Sequence, residues 1–229
     1  MRESKSPRKT GTIIIGVLAV LILVAGYWGL KEFTPLSRRT ASVKNGWNLI
    51  LVNHNYYVPD NYEIELTVLA NGQKVDARIY PELQDMFDNA RADGVHPVVI
   101  SGFRTQEKQQ SLFDQQIAVY RAEDYSAEES RRLAQTSVAL PGTSEHQLGL
   151  AVDIGADPSK STIDEVYAWF AQNAHLYGFI LRYAQDKTDI TGIIYEPWHF
   201  RYVGKEAAKE ITLQGVCLEE YIDALGGAG

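Results

Sequence analysis

Residues 12–30 read TIIIGVLAVLILVAGYWGL and carry no charge. A segment apolar on every side cannot lie on the surface of a globular domain. Nineteen helical residues span about 28 Å, close to the hydrocarbon thickness of a bilayer. Tyr27 and Trp28 sit near its end, where amphipathic rings favour the membrane interface. Arg2, Lys5, Arg8 and Lys9 precede it, so the N-terminus is expected to stay cytoplasmic and the rest to be translocated. A cleaved signal peptide has a shorter apolar core and a small-x-small site. This core is long and no A-x-A follows it, which points to an uncleaved anchor. The expected order is a basic cytoplasmic tail (1–11), a transmembrane anchor (12–30), a polar linker (31–46) and one extracytoplasmic domain (47–229).

Charge divides in the same way. Residues 1–39 hold seven basic and two acidic side chains, a net of +5. From Thr40 onward 15 basic face 27 acidic, a net of −12. A body this acidic lacks the clustered Lys and Arg that phosphate binding needs, so nucleic acid is excluded as a partner. Cys217 is the sole cysteine, so no internal disulfide can form. Its apolar neighbours suggest a small buried hydrophobe.

Within the body, residues 47–70 mix apolar runs with turn signals and read as an extended arm. Ile79, Leu83, Met86, Phe87 and Ala90 share a helical face. Pro97 to Gly102 is a β-branched run, hence a strand. A second helix is expected over 105–120, and Ser126 with Glu129 has the spacing of a capping box that opens a third. Leu150 to Ile154 is a strand. Ser161 and Asp164 start a helix with Ile163, Val166, Trp169 and Phe170 inward. Phe179 to Tyr183 and Trp198 to Tyr202 are strands, and helices near 204–214 and 218–225 finish the chain. Helices and short strands without regular alternation favour an α+β fold.

Two of the five histidines stand out. His146 lies in Ser144-Glu145-His146-Gln147-Leu148-Gly149-Leu150-Ala151-Val152-Asp153, and His199 in Glu196-Pro197-Trp198-His199-Phe200. Catalytic zinc takes three protein ligands and leaves a position for water. Side chains alternate along a strand. Gly149, Ala151 and Asp153 therefore share one face, and Leu150, Val152 and Ile154 the core face. Likewise Trp198, Phe200 and Tyr202 face one way, and His199 and Arg201 the other. Small residues beside Asp153 leave room for a metal and a peptide. Spacing alone leaves open the alternative that each histidine is hydrogen-bonded in a core, and no HEXXH helix is present.

The order of motifs adds more. SEHQLGLAVD fits S-x-H-x-x-G-x-A-x-D, EPWH fits E-x-W-H, and SGFRTQEKQ at 101–109 fits an upstream block. Together they resemble VanY-type D-alanyl-D-alanine carboxypeptidases, zinc peptidases related to VanX dipeptidases and to the hedgehog N-terminal domain. The resemblance spans about residues 47–215. It implies a small, mostly antiparallel sheet flanked by helices, and one zinc ion per chain on His146, Asp153 and His199. It implies Glu196 as catalytic base and Arg104 beside the scissile carbonyl. Ser144, Gln109 and Tyr183 are implied to hold the substrate's terminal groups. The implied substrate is the peptidoglycan stem peptide, met outside the cytoplasmic membrane that anchors the chain. An L,D-carboxypeptidase, a cross-link endopeptidase and a non-catalytic wall-binding module are the competing readings. His54, His96, His175 and the acidic cluster Glu123, Asp124, Glu128 and Glu129 belong to no matched motif.

Overall fold

The structure, a computed structural model, describes residues 39–227. The basic tail, the apolar segment 12–30 and the linker up to residue 38 lie outside the described residues. Among the described residues no helix is long and apolar enough to cross a membrane.

The chain enters as β1 (Arg39–Thr40), which pairs in parallel with β2 (Tyr56–Tyr57). Ala41 is buried in the main core. The last residues of the stretch read as linker are thus part of the folded body. An antiparallel pair follows, β3 (Leu66–Val68) with β4 (Lys74–Asp76), turning at Gly72. Helix α1 (Tyr80–Ala92) buries Leu83, Met86, Phe87 and Ala90, the expected face. Strand β5 (Pro97–Ser101) leads to α2 (Gln106–Ala122), whose Thr105 side chain accepts from the Lys108 amide. Helix α3 (Ala127–Ala134) is capped by Ser126, but the Glu129 carboxylate turns to Arg132 rather than back to the cap.

Strand β6 (Ala151–Ala156) precedes α4 (Ile163–Asn173). The cap of α4 is Thr162 with Glu165, one residue later than the expected Ser161 and Asp164. Ser161 instead accepts from the His96 amide, which pins the loop entering β5. Ile163 then falls at the exposed first turn, while Val166 and Phe170 are inward as expected. The chain ends through β7 (Phe179–Leu181), the single turn α5 (Thr188–Thr191), β8 (His199–Tyr202), α6 (Lys205–Gln214) and α7 (Leu218–Ala224).

The central sheet has the order β5–β6–β8–β7 and is antiparallel throughout. One face presents Val99, Val152, Ile154 and Phe200 to α1 and α4, and forms the main core. Burying a phenylalanine such as Phe170 there contributes about 1.5–3 kcal/mol by area. Helices α6 and α7 close a second cluster with Ile180 and Val203. Phe113 of α2 and Ala134 of α3 meet Leu140 in a third. The opposite face of β6 and β8 is left for polar side chains.

A candidate metallopeptidase site

Strand register assembles the site. Asp153 on β6 lies opposite Ser101 on one side and His199 on the other. A bulge between Val99 and Ser101 shifts the end of β5. Bulges commonly re-aim side chains beside functional sites, and here Ser101 Oγ accepts from Arg104 Nε at 2.8 Å. His146 comes from a 3-10 turn, Glu145–Leu148, that ends on left-handed Gly149. A Cβ at Gly149 would meet Asp76 N at 3.0 Å and the Ile64 side chain, so the turn seats closely on the β4 end.

Arg104, Gln109, Ser144, His146, Asp153, Tyr183, Glu196 and His199 all line one cleft of about 370 Å³. Every site residue expected from the sequence is therefore in one place. Trp198 departs from expectation. It precedes β8, is exposed, and lines this cleft instead of joining Phe200 and Tyr202 on the core side.

The trio can hold a metal. One ligand atom each from His146, Asp153 and His199 lie within 4.8 Å of one another. Asp153 Oδ1 is 3.4 Å from His146 Nε2 and 3.2 Å from His199 Nδ1. His146 Nδ1 is 2.7 Å from the Gly102 carbonyl, which makes it the donor and leaves Nε2 with a lone pair. That Nε2 is buried and has no hydrogen-bond partner, as an atom reserved for a cation would be. Two imidazoles and a carboxylate are a zinc ligand set.

Electrostatics agree with that reading. Burial pushes the His146 ring down, toward the neutral form a ligand needs, against the pull of Asp153. Burial opposes ionisation of Asp153, but His146 and His199 hold it well below the usual carboxylate range. Burial also opposes charge on His199, yet Asp153 and Glu145 draw it up to about 9. The site thus draws positive charge to that ring, where proton and metal compete. Glu196 Oε2 is 3.6 Å from His199 Nδ1. Burial pushes its carboxyl up to about 7, with His199 opposing and Asp153 adding. Arg104 Nη2 donates to the second Asp153 oxygen, away from the metal side. Gln109 Nε2 donates to Ala139 O at 2.7 Å, and its buried Oε1 has no protein partner. Burial and nearby Glu145 hold the Tyr183 phenol well above its ordinary value, so it stays a donor. Its ring centroid lies 4.8 Å from that of His199.

The chain matches the family described as VanY: D-alanyl-D-alanine carboxypeptidase, over residues 72–205. It belongs to the VanY family. It is 56% identical, over 84% of its length and 72% of the relative, to the D-alanyl-D-alanine carboxypeptidase of Enterococcus faecalis strain ATCC 700802 / V583. Among solved structures it resembles VanYB in complex with D-alanine-D-alanine, with a TM-score of 0.77 and 56% identity. That match covers 77% of this chain and 98% of the other. A vancomycin-resistance D,D-pentapeptidase VanY mutant in complex with Zn(II) matches with a TM-score of 0.75 and 57% identity. It covers 76% of this chain and 98% of that one.

One VanY-site residue escaped sequence reasoning. Glu145, the unspecified position of S-x-H, has a fully buried side chain between Arg182 and Arg201. Burial resists its charge, but the two guanidiniums hold it far below the ordinary carboxylate range. A signal existed: alternation had placed Arg201 on the same face as His199, and a cation buried there requires a partner.

Proposed function

We propose that this chain is a zinc-dependent D-alanyl-D-alanine carboxypeptidase that removes the terminal D-Ala of peptidoglycan stem peptides. The observation that carries it is the convergence of His146 Nε2 and His199 Nδ1 on Asp153 Oδ1, with Glu196 beside them in one cleft. His146, Asp153 and His199 hold the metal. When bound, zinc acts as a Lewis acid and brings the pKa of its water down to about 7.

The chain's own groups supply the rest. Glu196 lies beside the trio with a carboxyl that burial raises above the ordinary carboxylate range, and it accepts a proton and returns it to the leaving amine. Arg104 is permanently charged, and Ser101 and Asp153 fix its guanidinium at the cleft wall. From there it stabilises negative charge developing on the scissile carbonyl. Gln109 Oε1 offers a preformed acceptor to a substrate N–H, and Ser144 and Tyr183 offer hydroxyl donors to the terminal carboxylate. The reach of the cleft past the metal trio to Gln116 and Val119 leaves room for a longer peptide.

The apolar segment 12–30 and the basic residues before it support a single-pass anchor with the catalytic domain outside the membrane. Protease treatment of intact protoplasts should then digest the domain and spare the tail. The activity is tested by mass spectrometry of stem peptides after incubation with zinc-loaded and chelated protein. Loss of one alanine from the pentapeptide, abolished by chelation, is expected. Trimming of the tetrapeptide alone would favour the L,D reading, and no product from either would favour a binding module.

A further inference from the structure

Behind the metal trio lies a buried ionic chain that no step above uses. Glu145 Oε1 accepts from Arg182 Nε at 2.8 Å and from Arg201 Nη1 at 2.9 Å. Arg182 then donates from Nη1 and Nη2 to the Glu219 carboxylate, at 2.9 and 2.6 Å. Asn53 Nδ2 donates to Glu219 at 3.0 Å. Arg201 Nη2 donates to the Asn48 and Ile50 carbonyls. Two carboxylates thus face two guanidiniums, and the cluster is neutral without help from the site.

The second Glu145 oxygen is not used by either arginine. Oε2 is buried with no hydrogen bond and lies 3.4 Å from His199 Nε2, itself buried and unbonded. Those two atoms face each other, and the opposite ring nitrogen, Nδ1, faces Asp153. A carboxylate can only accept, so Nε2 must carry the proton if the contact is to be favourable. Nδ1 then presents its lone pair to the metal position.

We propose that Glu145 is a positioning residue that fixes the tautomer and ring orientation of His199, and that Glu219 of α7, through Arg182, holds Glu145 in place. His146 has its own orienter in the Gly102 carbonyl. The two histidines are therefore aimed independently, one by backbone and one by a buried charge network. Outer partners of this kind raise ligand basicity and reduce the freedom a ligand loses on binding. The network also couples the C-terminal helix and the Asn53 arm to metal affinity. This inference rests on the reading of His199 as a ligand.

The test uses zinc alone as probe, in competition with a chromogenic chelator, on wild type, His199→Ala and Glu145→Gln. Glu145→Gln keeps the shape but turns an N–H toward Nε2, and should weaken zinc about 10- to 100-fold. His199→Ala should weaken it further. Unchanged affinity in Glu145→Gln, with loss in His199→Ala, overturns the positioning role and leaves the metal site standing. Equal affinity in His199→Ala and wild type overturns both. Removing a buried charge risks misfolding, so a second measurement uses zinc-loaded wild type. Long-range proton–nitrogen correlation should place the His199 proton on Nε2 and metal on Nδ1, with the reverse pattern overturning the proposal.

Discussion

The cleft has two walls of different construction. On the sheet side, His146, Asp153 and His199 are each held by a second group: Gly102, Arg104 and Glu145. On the helical side, α2 presents Gln115, Gln116 and Val119 at or near the surface, and exposed Trp198 lines the same cleft. The sheet wall is preorganised by buried charge, whereas beyond the buried Gln109 the helical wall is a partly solvated rim. Chemistry needs the first kind of wall, because a ligand or base displaced by an ångström loses its function. Holding the body of a peptide needs only the second. Substitutions should therefore separate by wall.

The sharpest break is Asp153→Asn. It removes the anionic ligand and leaves Arg104 without its carboxylate partner. Metal catalysis supplies several kcal/mol of charge stabilisation, so activity should fall by about three orders of magnitude or more. Isothermal titration with zinc should show the affinity lost as well. Retained zinc binding and activity would mean that the sheet wall is not the metal wall.

Glu196→Gln tests the same wall without touching a ligand. Zinc should remain bound while kcat falls about 10²- to 10⁴-fold, the usual contribution of a positioned base. The pH profile sharpens this. Glu196 must be ionised to accept a proton, so activity declines as pH drops through its pKa. Burial sets that value at about 7, and a bound dication draws it lower. The acid limb of the profile should thus lie at or below neutrality in wild type. It should vanish from the residual activity of Glu196→Gln.

Why part of this wall was readable and part was not follows from where its information lies. Asp153 and His199 sit on strands whose alternation is local, so their shared face could be read from neighbours such as Val152 and Phe200. The core faces of α1 and β6 were legible for the same reason. Their assignment as zinc ligands came from resemblance, since spacing alone allowed a hydrogen-bonded core. The role of Glu145 depends on Arg182, Arg201 and Glu219, which are distant in sequence. No local period announces such a cluster. Trp198 was misplaced because β8 begins one residue later than its alternation implied. The cap of α4 slipped by one because Ser161 and Thr162 are both good caps, and a tertiary bond to the His96 amide took Ser161.

Gly102→Ala probes the sheet wall at the backbone. An added Cβ would lie 2.1 Å from the Lys74 carbonyl oxygen. Backbone stands against backbone there, so one strand must move. Overpacking of this kind costs about 1–3 kcal/mol. Denaturant unfolding of the zinc-free protein should show that loss, and zinc affinity should fall because the Gly102 carbonyl orients His146. A variant with wild-type stability and affinity would show the contact between β4 and the segment after β5 to be loose.

The smallest effect belongs to the helical wall. Gln116 lines the cleft from α2 and lies outside the hydrogen-bonded groups around the metal trio. Gln116→Ala removes at most a bond to the upstream part of the peptide, worth about 0.5–1.5 kcal/mol. That is a two- to tenfold rise in KM for a pentapeptide, with kcat unchanged, because such a contact is the same in ground and transition states. A terminal dipeptide lacks that upstream part, so its kinetics should not change. If kcat fell instead while KM held, Gln116 would be touching the reacting centre. The helical wall would then belong to the catalytic machinery, and the division between a wall for chemistry and a wall for holding would fail.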